Sequence, residues 1–97
     1  MSARKKFGPL KKPTKTTLKK LTESPGVYSL NGPNGKILYI GKAKQNRPDE
    51  RIGEHLVADK IPFEKFGFIP TTTQVEALKL EKKLIKQRKP KYNKQGK

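Results

Sequence analysis

The segment Asn31-Gly32-Pro33-Asn34-Gly35 separates two runs of strand formers, and that arrangement leaves the chain few choices. The flanking runs, Gly26 to Leu30 and Lys36 to Ile40, carry Val27, Tyr28, Leu30, Ile37, Leu38, Tyr39 and Ile40. These β-branched, aromatic and aliphatic types fit a pleated, half-buried surface. Gly, Asn and Pro are the residues that reverse a chain, so the two runs are expected to fold back as an antiparallel hairpin. Two registers are open. A loop over 32–35 pairs Tyr28 with Tyr39 and puts both phenols on one face, whereas a loop over 31–35 pairs Tyr28 with Leu38 and separates them.

Around the hairpin the pattern alternates. Thr16 to Leu21 reads as a short helix with Leu18 and Leu21 on one face, ended by Ser24-Pro25. Pro48 to Ala58 reads as a second helix. Pro48 suits a first turn, Asp49 and Glu50 complement the positive helix end, and Ile52 with Leu56 gives an apolar edge. Gly53 weakens this helix by about 1 kcal/mol relative to Ala. A third strand is expected around Phe66, Phe68 and Ile69, stopped by Pro70. The last helix is capped by Thr73 with Glu76 at capping-box spacing. Its stripe is read as Val75, Leu78, Leu84 and Ile85, and Lys89-Pro90 closes it.

Charge narrows the partner. Of 97 residues, 24 are Lys or Arg and 8 are Asp or Glu, a net charge of +16. A balance this basic points to a polyanion, nucleic acid first. Hydrophobic residues are only 31% of the chain, so one domain with a small core is expected. Arg4, Lys5, Lys6, Lys11 and Lys12, with Gly8, Pro9 and Pro13, make 1–14 a disordered basic arm in this reading, whose removal leaves the melting temperature nearly unchanged. The domain is expected over 15–93, and 94–97 as a frayed tail. No run approaches the ~18 apolar residues of a membrane span. The N-terminus has no apolar stretch of the secretory kind, and a cytoplasmic protein without membrane contact is expected. Cysteine is absent, which excludes disulfides, thiolate metal sites and a cysteine nucleophile.

Several positions carry chemistry. The helical neighbours of Glu81 are Ala77, Leu78, Leu84 and Ile85, all apolar. A carboxylate in an apolar stripe is costly unless it is paired or binds a metal; a salt bridge to one of the many lysines is the plainer explanation. Arg51 and His55 stand one helical turn apart on one face, and an arginine there suits a phosphate. His55 is the only histidine, and a structural role is its alternative. Lys42 follows Gly41 after the second strand and could hold a phosphate oxygen, although P-loop spacing is absent.

Taken in order, these signals form a pattern. Gly26-Val27-Tyr28, then Tyr39-Ile40-Gly41-Lys42-Ala43-Lys44, Arg51 with His55, Glu81 with Leu84-Ile85-Lys86, and Lys89-Pro90-Lys91-Tyr92-Asn93 resemble the GIY-YIG nuclease superfamily, most of all its UvrC branch. The resemblance runs from about Leu21 to Asn93. Val27 stands for the isoleucine of the first motif, and His55 stands where that branch often has tyrosine. The resemblance implies an α+β fold, a small three-stranded antiparallel sheet flanked by helices. It implies a metal-dependent endonuclease acting on duplex or branched DNA, RNA being less favoured, with Mg2+ or Mn2+ held by Glu81. By the same resemblance Tyr28 and Tyr39 handle the attacking water and scissile phosphate, and Arg51 steadies the transition state. His55 bonds the nucleophile or shares the base role, while Lys42, Lys44 and Asn93 bind or orient phosphate groups. One cation with one carboxylate is reasonable, because Mg2+ keeps several of its waters.

Members of this superfamily usually join the nuclease to a specificity domain, and none is read in these 97 residues. The expectation is therefore a free-standing nuclease of a phage, mobile element, restriction, recombination or turnover system, or one targeted by a protein partner. The alternatives are a non-catalytic nucleic-acid-binding module of the same fold and a ribosomal-type RNA-binding protein.

Overall fold

The computed structural model describes Phe7 and residues 10–21, 24–43, 47–58 and 60–93. In chain order the elements are α1 (Lys15–Lys19), β1 (Gly26–Asn31), β2 (Ile37–Lys42), α2 (Pro48–Ala58), β3 (Lys65–Pro70) and α3 (Gln74–Arg88), followed by a 3-10 turn at Lys91–Asn93. The strands form one antiparallel sheet in the order β2-β1-β3. This is the α+β arrangement expected from the resemblance.

β1 is central and buried along its whole length, because both of its faces are covered. Tyr28 and Leu30 point to one side, where they pack with Ile52, Ile61, Phe63 and Phe66. Val27 points to the other and packs with Ile40, Ile69, Ala77 and Leu84. α2 therefore covers one face through Ile52 and α3 covers the other through Ala77 and Leu84. Leu56, read as part of the α2 edge, is 40% exposed, and the helix is anchored by its buried residues Pro48 and Ile52.

The hairpin adopts neither expected register. Tyr28 pairs with Gly41, Leu30 with Tyr39, and Asn31 with Ile37 across a bulge. The turn is longer than read: the Gly32 N–H donates to the Lys36 carbonyl at 2.9 Å, and Gly35 takes φ +85° inside it. The extra turn residue and the bulge together slide β2 by two positions relative to the Tyr28–Tyr39 pairing. A two-residue slide preserves faces, because side chains alternate with period two. The phenols thus still share a face, as diagonal rather than direct neighbours.

α3 is capped as expected: the Thr73 hydroxyl accepts from the Glu76 N–H at 3.0 Å. Its C-terminus closes on Lys89, which takes the left-handed conformation at φ 47° and donates its N–H to the Ile85 carbonyl. The stripe differs from the reading. Val75 is 63% exposed and Leu78 is 40% exposed, both turned outward. Small Ala77 is the buried residue at that end, where it lets the helix approach the sheet.

The basic arm expected over 1–14 is partly built into the fold. Lys11 forms a two-way backbone bridge with Phe66, at 3.0 and 2.8 Å. Thr14 caps α1 in a reciprocal box with Thr17, and Phe7 packs beside the Val27 cluster. The rest of the arm and the tail expected over 94–97 lie outside the described residues. Among the described residues, no helix is long and apolar enough to cross a membrane.

Candidate active site

The sheet assembles the site at its β2 edge. Tyr28 comes from β1, Tyr39 and Lys42 from β2, Arg51 and His55 from α2, and Glu81 from α3. Gly41 is what lets Tyr28 reach that edge. A Cβ at position 41 would lie 2.4 Å from the phenol oxygen and 2.5 Å from Cζ, so the ring passes over a backbone that only glycine leaves bare.

The Tyr28 hydroxyl meets His55 Nε2 at 2.9 Å. Tyr39 packs on the same imidazole, with ring centroids 4.9 Å apart, and its ring lies 6.2 Å from that of Tyr28. The three rings form one cluster. Burial drives the Tyr28 pKa far above the usual phenol range, and the neighbouring Tyr39 adds to the effect, while Arg51 acts against it. Tyr28 is therefore a neutral phenol. Burial and then the Arg51 charge push the His55 pKa below 6.5, with Glu54 opposing. The histidine is neutral at pH 7, and in the tautomer protonated at Nδ1 its Nε2 accepts from the Tyr28 hydroxyl.

Arg51 holds Glu54 at 2.7 Å, and that hydrogen bond raises its own pKa. The guanidinium is close enough to act electrostatically on Tyr28, His55 and Glu81. It lines a cavity of about 390 Å3 beside the rings, together with His55, Lys60, Ile61 and Tyr92.

Glu81 is half-buried. Burial raises its pKa above the ordinary value, and Lys42, Lys82 and Arg51 act against that rise. The plainer explanation from sequence, a direct lysine salt bridge, is not formed among the described residues. The Lys42 ammonium donates instead to Gln74 Oε1 at 2.8 Å. Among the described residues the Glu81 carboxylate has no contact ion pair, and a backbone hydrogen bond from Lys42 helps hold it; a half-buried carboxylate in that state suits a cation. No group of three or more His, Cys, Asp or Glu forms a cage among the described residues. The donor set thus fits a hard cation that takes one carboxylate and keeps its waters, rather than zinc or calcium.

Asn93, expected to bind or orient phosphate groups, bonds the backbone of β2. Its Oδ1 accepts from the Ile40 N–H at 2.7 Å and its Nδ2 donates to the Ile40 carbonyl at 2.9 Å. It clamps the open edge of β2 between Tyr39 and Gly41. Lys44 lies outside the described residues. Gln74, which holds the Lys42 ammonium, was not legible as a site residue, because the first residue of a helix has no periodicity to mark it.

The described family that matches is the UvrC-like GIY-YIG domain, over residues 24–94. UvrABC system protein C of Streptococcus pneumoniae (strain JJA) is 44% identical over 88 residues, covering 81% of this chain and 14% of that protein. UvrABC system protein C of Thermoanaerobacter sp. (strain X514) is 41% identical over 86 residues, with 78% and 14% covered. The chain thus spans about one seventh of the length of these curated relatives. The GIY-YIG N-terminal endonuclease domain of UvrC from Thermotoga maritima, bound to its catalytic divalent cation magnesium, superposes with a TM-score of 0.67 at 31% identity, covering 81% of this chain and 93% of that one. A point mutant of the same domain, also bound to its catalytic divalent cation, gives 0.62 at 30% identity, with 82% and 93% covered. These relatives carry the name of the UvrABC system and do not support the expected phage or mobile-element setting.

Proposed function

The chain belongs to the UvrC-like GIY-YIG domain family, and from that premise we propose that it is a divalent-metal-dependent endonuclease hydrolysing phosphodiester bonds of DNA. The observation that carries the reading is the neutral Tyr28–His55 pair, at 2.9 Å, beside an arginine and a carboxylate with no contact ion pair among the described residues. Each element of that set has work in hydrolysis. When bound at Glu81, Mg2+ or Mn2+ supplies Lewis-acid polarisation of the phosphate and stabilises the leaving oxygen.

The chain's own residues handle the proton. Tyr28 donates its hydroxyl proton to His55 Nε2 and accepts one from the attacking water on the same oxygen, so the phenol is restored and His55 ends as imidazolium. A phenolate at Tyr28 is disfavoured by burial, and this concerted exchange avoids forming one. Tyr39 fixes the imidazole plane from the other side. Arg51 turns from Glu54 towards the phosphate, where a guanidinium neutralises the charge of the pentavalent state. Lys42, steadied by Gln74, adds positive charge on the Glu81 side. Asn93 holds β2 in place for Tyr39 and acts by positioning.

The basic surface supplies affinity for the DNA backbone without reading bases. Targeting comes from a protein partner, in keeping with the multi-protein system that gives the relatives their name, and the setting is cytoplasmic. The test is nicking of supercoiled plasmid by the parent and by Glu81→Gln, with Mg2+, with Mn2+ and in EDTA. Metal-dependent nicking by the parent alone is expected. Equal nicking by both proteins would overturn the role of Glu81. Salt-sensitive binding without nicking of plasmid or branched substrates would mark the chain as a binding module instead.

A further inference from the structure

A groove of about 870 Å3 opens at the hairpin-turn end of the sheet, and none of the described site residues lines it. Its charged lining is Lys36 after the turn, Arg88 and Lys89 at the end of α3, and Lys91 in the 3-10 turn. Ile37 and Leu84 make its apolar floor. Among the described residues, no Asp or Glu lines it and none of the four cations pairs with a carboxylate. The α3 carbonyl end accounts for Arg88 and Lys89, since cations complement a helix C-terminus. It does not account for Lys36 and Lys91, which come from other segments to the same opening. Like charges brought together over low-dielectric walls focus a positive potential into the groove, and that potential selects an anion.

The floor selects which anion. Duplex DNA shows phosphates on a convex rod with its bases stacked inside, and it has nothing to lay on an apolar floor. A single strand has phosphates for the rim and base faces to stack on Phe7 and lie over Ile37, and cations beside an aromatic ring are the combination by which such strands are held. Phe7 and Leu10 close the outer wall, and both lie outside the 24–94 region shared with the family. The family match therefore says nothing of this wall, which is read from this chain's own residues.

We propose that the groove is a binding site for single-stranded nucleic acid, with Lys36, Arg88, Lys89 and Lys91 on its phosphates and Phe7 and Ile37 against its bases, over the buried Leu84. The inference rests on the nucleic-acid partner of the nuclease reading and extends it. The enzyme holds an unpaired strand away from the scissile bond, as a branched or opened substrate presents one.

The test is fluorescence anisotropy of a labelled oligothymidylate and of a duplex of the same length, in EDTA over a salt series. Three proteins are compared: the parent, a groove triple variant (Lys36→Glu, Arg88→Glu, Lys91→Glu), and a charge-matched variant on the exposed face of α3 (Lys79→Glu, Lys83→Glu, Lys86→Glu). Lys89 is spared because of its left-handed backbone. Three lost phosphate contacts should weaken oligothymidylate binding by about tenfold or more and lower the log–log salt slope by roughly 2. The matched variant should lose clearly less, and the Ile37 and Leu84 methyl resonances of the parent should shift on titration. Equal losses in the two variants, or unmoved methyls, would overturn the site. Methyls that shift with a glutamate-rich peptide and not with oligothymidylate would make the groove a protein-docking surface instead. Because binding is read without divalent metal, a chain that fails to nick can still pass, and one that nicks can still fail.

Discussion

The Tyr28 phenol and the His55 imidazole are joined tip to tip, 2.9 Å apart, across 27 residues of sequence. The join depends on a third residue that contributes no side chain. Gly41 pairs with Tyr28 on the neighbouring strand and leaves bare the backbone over which the ring lies.

Gly41→Ala should therefore separate stability from activity. The new methyl meets the Tyr28 oxygen and Cζ, both inside any tolerated contact distance, and overpacking of this kind costs about 1–3 kcal/mol. The ring must move off His55 to make room. We expect nicking to fall by about two orders of magnitude or more, since misplacement near 1 Å costs that much, while the variant still folds cooperatively. Full activity in a folded variant would show that the tyrosine–histidine join is dispensable.

His55 is the only histidine, so its ring protons report one titration by NMR. Its pKa is expected below 6.5, lowered by burial and then by Arg51. The folded state thus binds this proton less readily than the unfolded state. Stability linked to His55 is full above the unfolded pKa and is lost as pH falls through the lower folded value. Nicking should keep its neutral-pH rate to below pH 6.5 and then drop. Arg51→Gln should move the titration upward by removing the positive neighbour. A titration at or above the ordinary histidine value in the parent would remove the proton acceptor from the mechanism.

The sign is opposite at Glu81. Burial raises its folded pKa, so the ionised carboxylate works against folding at neutral pH, and that cost fades as pH falls towards the raised value. Glu81→Gln in EDTA should melt at or above the parent temperature. Adding Mg2+ should raise the parent's melting temperature by binding the folded state alone and leave the variant unmoved. A variant that unfolds in EDTA would make Glu81 a structural residue.

Much of this was legible in the sequence because it is periodic or punctuated. The Asn31–Gly35 turn fixed the hairpin, Pro48 and Thr73 marked their helices, and the spacing of Arg51 and His55 placed them on one face. The register was not legible, because a bulge near Asn31 and the left-handed Gly35 are tertiary choices among several turns that the same residues allow. The stripe of α3 was misread at Val75 and Leu78 because hydrophobicity alone ranks them above Ala77, whereas close approach to the sheet favours the smaller side chain. Asn93 was legible as a motif position, but its bond to Ile40 spans 53 residues and no local pattern encodes it.

That bond has its own consequence. Asn93→Ala leaves the Ile40 N–H and carbonyl without their side-chain partners at the sheet edge, at a cost of about 1–3 kcal/mol. Amide exchange at Ile40 should accelerate well beyond that of β1. Asn93→Asp keeps the acceptor for the N–H and should protect the amide more than alanine does. Unchanged Ile40 exchange in Asn93→Ala would return Asn93 to a direct role at the phosphate.

The N-terminal segment makes the last prediction, and it reverses the reading from composition. Basic residues and prolines suggested an arm whose removal leaves the melting temperature alone. Lys11, however, exchanges two backbone hydrogen bonds with Phe66, on the exposed edge of β3, and Thr14 caps α1. Lys11→Pro removes the donor to the Phe66 carbonyl, and Thr14→Ala removes a cap worth about 1 kcal/mol. In a domain of this size, 1 kcal/mol moves the melting temperature by about 4–8 °C. Each substitution should lower it by several degrees with no change in net charge for Thr14→Ala, which separates packing from electrostatics. If both variants melt with the parent, the segment contributes only charge, and the outer wall that Phe7 and Leu10 give the basic groove is not held in place by the bridge that follows it.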